Sequence, residues 1–303
     1  MISIVLIYLL YYPNNNEQMK TYFISRFNIF DYNFKGFQLT LKNDQAAYTD
    51  LFFNKDRLEF KTNIFINVTL SSIIKQDNSN WEWHIYTSKF LPLKYLNRIK
   101  TAAMKNINIH VIEVKNFDEF YTQITDFPYD ANYATVRLDD DDALYEGYVT
   151  LLNKYKNQKG KIISFPYGNE YCFVNGKKKI GNKCFKPNIA LGLAAINKII
   201  YNCGDHSDIS TRYDIIYNNT PDVYLLCCSP YCDTKRPLTK AIPILIRFKS
   251  SINDELKKYG LTIIRLNSLS NKTDVESIVL SSTIIRWCNI VFSLFGYIIV
   301  ERK

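Results

Sequence analysis

With 303 residues, 47% hydrophobic and 15% aromatic side chains, the chain can bury a substantial core, which excludes a disordered protein. Its formal charge of +9 favours polyanionic partners: nucleic acid, an anionic membrane surface or a diphosphate-bearing donor. The lysines are scattered and no helix-turn-helix, zinc-finger or RNA-binding signature occurs, so nucleic acid is not expected as a partner. Seven cysteines, an odd number without two C-x-x-C pairs, predict buried free thiols in a reducing compartment rather than a disulfide framework.

Residues 1–12 are apolar but lack a basic leader and a small-residue cleavage site, so a secretory signal is not expected. They are too short to span a bilayer. An edge strand, a loose anchor or an extended start all remain open. From there strands and helices alternate. Residues 22–28 form a β-prone run, 62–76 a mostly helical pattern, 81–87 an alternating strand, and 92–104 a helix with Leu93, Leu96, Ile99 and Ala103 near the 3.6-residue period. A strand follows at 107–114, a short helix at 117–124 and a strand at 134–138. Strands separated by helix-length segments predict βαβ units and a largely parallel sheet.

Directly after that last strand stand four consecutive aspartates, Asp139 to Asp142. Carboxylates crowded at the end of a buried strand repel one another and are costly to desolvate. A divalent cation relieves this, since hard oxygen ligands suit Mg²⁺ or Mn²⁺, and an open carboxylate-held metal can grip a diphosphate. Acidic runs are more often solvated faces. This one is short and flanked by Val136, Leu138, Ala143 and Leu144, and in parallel sheets ligands sit beyond the carboxyl ends of the strands. The pattern therefore points to an enzyme that uses a nucleotide sugar.

Downstream, a helix is expected over 145–155, a strand over 161–165, a hairpin over 169–188 with Lys177 to Lys179 in its solvated turn, a helix over 191–200 and a strand over 223–228. Thr273 and Glu276 have capping-box spacing and open a helix running to about 300, apolar nearly all round in its second half. Arg286 and Asn289 argue against a clean transmembrane span; a buried or dimer-interface helix and a peripheral membrane contact both stay open. The expected organisation is one domain over 19–265 and a helical extension over 266–303, in a cytoplasmic protein or one peripheral at a membrane.

The order of Phe23-Ile24-Ser25-Arg26-Phe27-Asn28, the helix ending Leu70-Ser71-Ser72-Ile73-Ile74, the strand Trp81-Glu82-Trp83-His84-Ile85-Tyr86, and Arg137-Leu138-Asp139-Asp140-Asp141-Asp142-Ala143-Leu144 resembles the rhamnosyltransferase family. These are GT-A-type glycosyltransferases related to the inverting family 2. The resemblance covers roughly residues 20–265, and the aspartate string is its most specific part. It implies an α/β, Rossmann-like GT-A fold with a mostly parallel central sheet, a nucleotide-sugar donor, a glycan or lipid-linked acceptor, and Mn²⁺ or Mg²⁺. It implies a D-x-D motif at Asp139 and Asp141: Asp139 facing the ribose or a metal-bound water, Asp141 ligating the metal. Asp142 would support the start of a following helix. Arg26, at the end of the first strand, would meet the base or phosphate, and His206 would be a further metal or phosphate contact. The pattern is departed from at Cys227-Cys228-Ser229-Pro230-Tyr231-Cys232, where the family tends to carry a His and an Asn.

An inverting transfer needs a carboxylate to take the acceptor's proton. The candidates are Asp208, then Asp205, then Glu170. Asp208 leads because it precedes an expected helical segment at 209–216, whose N-terminus would hold a carboxylate ionised. The competing reading is a non-catalytic carbohydrate-binding or scaffold protein that keeps the fold. A nucleotidyltransferase would carry a Gly-rich basic loop near the N-terminus, which is absent, and a glycoside hydrolase needs no metal.

Overall fold

A computed structural model of the chain describes residues 18–34, 36, 40–41, 43–172, 179–228, 231 and 256–261. The expected amino-terminal run at 1–12, the tip of the 169–188 hairpin with Lys177 and Lys178, Cys232, and the helix expected from 273 to 300 lie outside them.

The described chain runs β1 (Lys20–Phe27), α1 (Gln45–Phe52), α2 (Lys55–Ile64), a π-helical stretch (Phe65–Thr69), α3 (Leu70–Ile74), β2 (Trp81–Ser88), α4 (Leu93–Ala103), β3 (Ile109–Val114), α5 (Phe117–Asp126), β4 (Tyr133–Arg137), β5 (Ala143–Leu144), α6 (Tyr148–Asn153), β6 (Ile162–Ser164), β7 (Tyr167–Cys172), β8 (Lys179–Phe185), β9 (Ala194–Ile196), β10 (Ile215–Tyr217) and β11 (Tyr224–Cys228). Seven strands form the main sheet in the order β10-β6-β9-β4-β1-β2-β3. All its neighbours pair in parallel except β9, which runs antiparallel to both β4 and β6. A second sheet has the order β5-β11-β7-β8. This is the expected α/β architecture with a mostly parallel sheet.

The central strands β1, β2 and β4 are buried on both faces because helices cover both, so they read as near-continuous apolar runs. On one face Phe23, Phe27, Trp83 and Ile85 pack with Leu96 and Ile99 of α4. On the other, Ile24 and Tyr86 pack with Phe117, Phe120 and Ile124 of α5. The α5 helix starts where Asn116 caps it, accepting from the Glu119 N–H at 3.0 Å, with Asp118 and Glu119 in the first turn where the helix dipole favours acids. Strand β1 ends at Asn28, whose φ of 52° is the left-handed region an Asn tolerates; its Oδ1 accepts from Arg57 at 2.7 Å.

From β1 the chain moves outward through β2 to β3 and then returns to β4 on the other side of β1. The carboxyl ends of β1 and β4 therefore flank a point where strand order reverses, which is where such sheets open a crevice.

Several expected elements differ. The helix expected over 191–200 is instead the strand β9 followed by a 3-10 turn, Ile200–Cys203. Its apolar residues are buried all round as a central strand, a pattern a buried helix shares, and Gly192 at φ 69° breaks the chain before it. Asp142 does not open a helix: β5 follows it, and α6 begins only at Tyr148. No helix spans 209–216; a 3-10 turn, Ile209–Thr211, gives way to β10. Cys203 and Cys227 are buried free thiols. No helix among the described residues is long and apolar enough to cross a membrane.

Candidate active site

The aspartate turn does not stand on a metal alone. Asp140 is buried and pairs with Lys61 of α2, Nζ to Oδ2 at 2.9 Å. Asp142 is buried and its Oδ1 accepts the backbone N–H of Cys227 at 2.7 Å, tying the turn to β11 of the second sheet. Asp139 and Asp141 alternate with these two and are only partly buried. The turn therefore splits its charges, with Asp140 and Asp142 satisfied by the protein and Asp139 and Asp141 less buried. The repulsion that makes a cation attractive from the sequence is thus relieved in part by the protein itself.

Asp139 faces a basic pair. The Nε of Arg137, at the end of β4, lies 3.5 Å from its Oδ1, an ion pair too long for a hydrogen bond. Burial raises the Asp139 carboxyl, but Arg137, Arg26 and His206 outweigh it and hold it below the usual carboxylate value. Arg137 behaves in mirror image: burial works against its charge, and Asp139, Tyr201 and Asp205 more than restore it. The Arg137 Nε is itself buried and has no hydrogen-bond partner.

Both guanidiniums share one ring. Arg26 stands 4.9 Å and Arg137 5.5 Å from the centre of Tyr201, and Arg26 is also 5.8 Å from Phe117. Tyr201 donates from its hydroxyl to the Ile24 carbonyl at 3.3 Å, and the same carbonyl accepts from the Leu138 N–H at 3.1 Å. The ring is thus anchored between β1 and the start of the aspartate turn.

How Tyr201 arrives there follows from β9. Running against β4, that strand delivers the chain to the amino end of the sheet, where Asn197 turns back at φ 51°. The return is pinned to Thr135 in the middle of β4. Its buried hydroxyl donates to Lys198 O at 2.7 Å and accepts from the Ile200 N–H at 2.8 Å. The chain then passes Tyr201 and reaches Asp205 and His206.

Of the residues expected from the sequence, the structure brings together Arg26, Asp139, His206 and Asp205. His206 Nδ1 lies 3.2 Å from Asp205 Oδ1. The Ser207 N–H, at 2.9 Å, holds the Asp205 carboxyl low; burial opposes this, and His206 and Arg137 add to it. Asp208 is half-exposed and bound to Arg212 at 2.5 Å. It heads only the three-residue 3-10 turn and caps none of its N–H groups, so the helix-terminus argument for it fails. Glu170 is buried in β7 beside the β11 segment that Asp142 ties down. Sequence reasoning gave no role to Arg137, Tyr201 or Lys61. Arg137 stands inside the aspartate motif, which was its available signal; Tyr201 and Lys61 come from distant segments and carried none.

Two partly buried carboxylates at a turn suit a hard cation whose other ligands come from diphosphate and water, so Asp139 and Asp141 fit Mg²⁺ or Mn²⁺. The donor set is incomplete without such a ligand: among the described residues no group of three His, Cys, Asp or Glu side chains gathers at this turn.

Residues 20–217 match the model of the family described as "Putative rhamnosyl transferase". No curated protein matches the chain. Similar solved structures include S. aureus TarS, with 12% identity and a TM-score of 0.40 over 70% of this chain and 37% of TarS. They also include S. aureus TarS 1-349 in complex with UDP, with 11% identity and a TM-score of 0.39 over 91% of this chain and 72% of that one. The glycosyltransferase GlyE of Streptococcus pneumoniae TIGR4 aligns with 11% identity and a TM-score of 0.35 over 85% of this chain and 66% of its own. The chain thus spans little more than a third of TarS.

Proposed function

This chain belongs to the rhamnosyl transferase family, and from that premise we propose that it is a metal-dependent, inverting glycosyltransferase. It would move a sugar from a nucleoside-diphosphate donor to a glycan or lipid-linked acceptor. The observation that carries this reading is the basic pair around Tyr201: two guanidiniums at the switch point of the sheet, one of them ion-paired with Asp139, beside a partly buried D-x-D turn. A planar guanidinium recognises a diphosphate well.

In this scheme Arg26 and Arg137 bind and orient the donor diphosphate, and Asp139 keeps the guanidinium of Arg137 aimed. Asp141, with Asp139, would hold the Mn²⁺ or Mg²⁺. When bound, that cation neutralises charge on the leaving diphosphate. The acceptor hydroxyl oxygen attacks the anomeric carbon as its bond to the diphosphate oxygen breaks, and the electron pair leaves with the diphosphate. The hydroxyl proton passes to a carboxylate. Asp205 is the best-placed candidate, since it shares the electrostatic neighbourhood of Arg137 and His206, whereas Asp208 is engaged by Arg212.

The test is thermal stabilisation by UDP, GDP and dTDP, each with and without Mn²⁺, on the wild type and Asp141→Asn. Stabilisation by one nucleotide that needs both Mn²⁺ and Asp141 is the expected result. Unchanged Mn²⁺ dependence in the variant would refute the metal assignment, and no response to any nucleotide would refute the donor class.

A further inference from the structure

We propose that Glu82, His84 and His110 form a zinc-binding site on the sheet, separate from the nucleotide crevice. Glu82 and His84 are two residues apart on β2, so both project from one face. His110 on the edge strand β3 pairs directly with His84 across the sheet. Two of the chain's three histidines are thereby placed side by side with a carboxylate.

The ligand atoms already converge. Oε2 of Glu82 lies 3.5 Å from His84 Nε2 and 3.8 Å from His110 Nε2, and one ligand atom from each residue falls within 4.8 Å of the others. A tetrahedral zinc bound at about 2.0–2.1 Å separates its ligand atoms by roughly 3.3–3.4 Å, so inward shifts of a few tenths of an ångström at the Glu82 contacts, with the two imidazoles closing as needed, form the site. The other oxygen of Glu82 is held by Lys20 Nζ at 3.2 Å, which leaves Oε2 for the imidazoles and fixes the carboxylate's orientation.

His84 is 2% exposed and packed edge-on against Phe127 with ring centres 4.5 Å apart, which fixes the orientation of its ring toward Glu82. Two imidazoles and one carboxylate are a donor set that zinc takes with a water in the fourth position. His110 is half-exposed and gives the ion a path from solvent.

The site is distinct from the aspartate turn. Tyr22 pairs with Glu82, and Arg26 with Tyr86. Ile24 pairs with His84, so the cluster sits two to four residues, roughly 7–13 Å along the strand, toward the amino end from Arg26. Its effect is to fasten β3, an edge strand, to β2 through side chains as well as the backbone ladder.

The experiment uses the full chain stripped with chelator and titrated with Co²⁺, then Zn²⁺, with visible absorption and thermal melting as readouts. The wild type should bind one equivalent of Co²⁺ with tetrahedral visible bands, lose them to Zn²⁺, and melt higher with Zn²⁺. His110→Ala and Glu82→Gln, both at solvent-reachable positions, should weaken Co²⁺ binding at least tenfold while keeping the wild-type circular dichroism. Asp141→Asn should leave the bands intact, which separates this site from the nucleotide reading. Absence of the bands in the wild type, or their survival in both His110→Ala and Glu82→Gln, or their loss in Asp141→Asn alone, would overturn the proposal.

Discussion

Arg137 Nε and Asp139 Oδ1 lie 3.5 Å apart at the carboxyl end of β4, and each charge is sustained by the other against burial. The pair joins the strand to the aspartate turn and holds a guanidinium at the switch point of the sheet.

Arg137→Ala should weaken nucleoside-diphosphate binding by about 10- to 100-fold, the scale of one lost charge-assisted hydrogen bond. Arg137→Lys should recover little, since a point charge does not reproduce the planar fork. Calorimetric Kd values for the three proteins decide this. Equal affinities would remove Arg137 from the site.

The Asp139 carboxyl is held below the ordinary value of 3.8 in the folded chain. Its ionised form therefore contributes stability that is fully present above that pH and is lost as pH falls through the lower folded-state value. Asp139→Asn should lower the Tm at pH 7, and the gap to wild type should narrow as pH falls below 3.8. A gap that stays constant over this range would show that the ion pair with Arg137 contributes nothing. Because the carboxylate is about a third exposed, solvent screening limits the size of the effect.

Asp141→Asn keeps shape and hydrogen bonding but removes a ligand charge. Transfer activity should fall by roughly 10²-fold or more, with an unchanged melting curve in the absence of nucleotide. Activity within a few-fold of wild type at saturating Mn²⁺ would dismiss the D-x-D assignment.

Among the carboxylates, Asp205→Asn should lose turnover while keeping donor affinity, because a base touches the acceptor and not the diphosphate. Asp208→Asn should turn over normally, and Glu170→Gln serves as the buried comparison. His206→Ala should weaken donor binding instead. If the three carboxylate variants all turn over normally, the base lies elsewhere or the reaction is not inverting.

The Lys61–Asp140 ion pair is buried, and removing one partner strands the other. Lys61→Met should destabilise the fold by about 3 kcal/mol, and adding Asp140→Asn should restore part of the loss, since breaking a buried pair is costly while neutralising both partners is tolerated. Denaturant melts of the single and double variants measure it. Additive losses would show the pair to be uncoupled.

The alternation of strands and helices was legible because β1, β2 and β4 are long enough to show their apolar runs and α4 its 3.6-residue period. The aspartate turn was legible because its residues are contiguous. What stayed hidden depends on distant segments meeting. Three-residue strands such as β9 and β10 offer no period to detect, so the sequence predicts a helix at each. Tyr201 and Lys61 gain meaning only from Arg26, Arg137 and Asp140, which lie far along the chain. Glu82, His84 and His110 were visible only as strand residues, since their convergence needs the pairing of β2 with β3.

The reversed strand β9 has a mechanical consequence. Because the chain after it doubles back along β4, the segment bearing Tyr201, Asp205 and His206 is referenced to the strand that carries the aspartate turn, through one buried hydroxyl. Thr135 is thus a shared datum for the two banks of the crevice. The excursion from 138 to 197 ends paired against β4, so the segment after it starts from the strand that carries the acids. A hydroxyl far from any reacting atom would then govern the precision of the site, and its replacement by the near-isosteric valine would blur the crevice without emptying it.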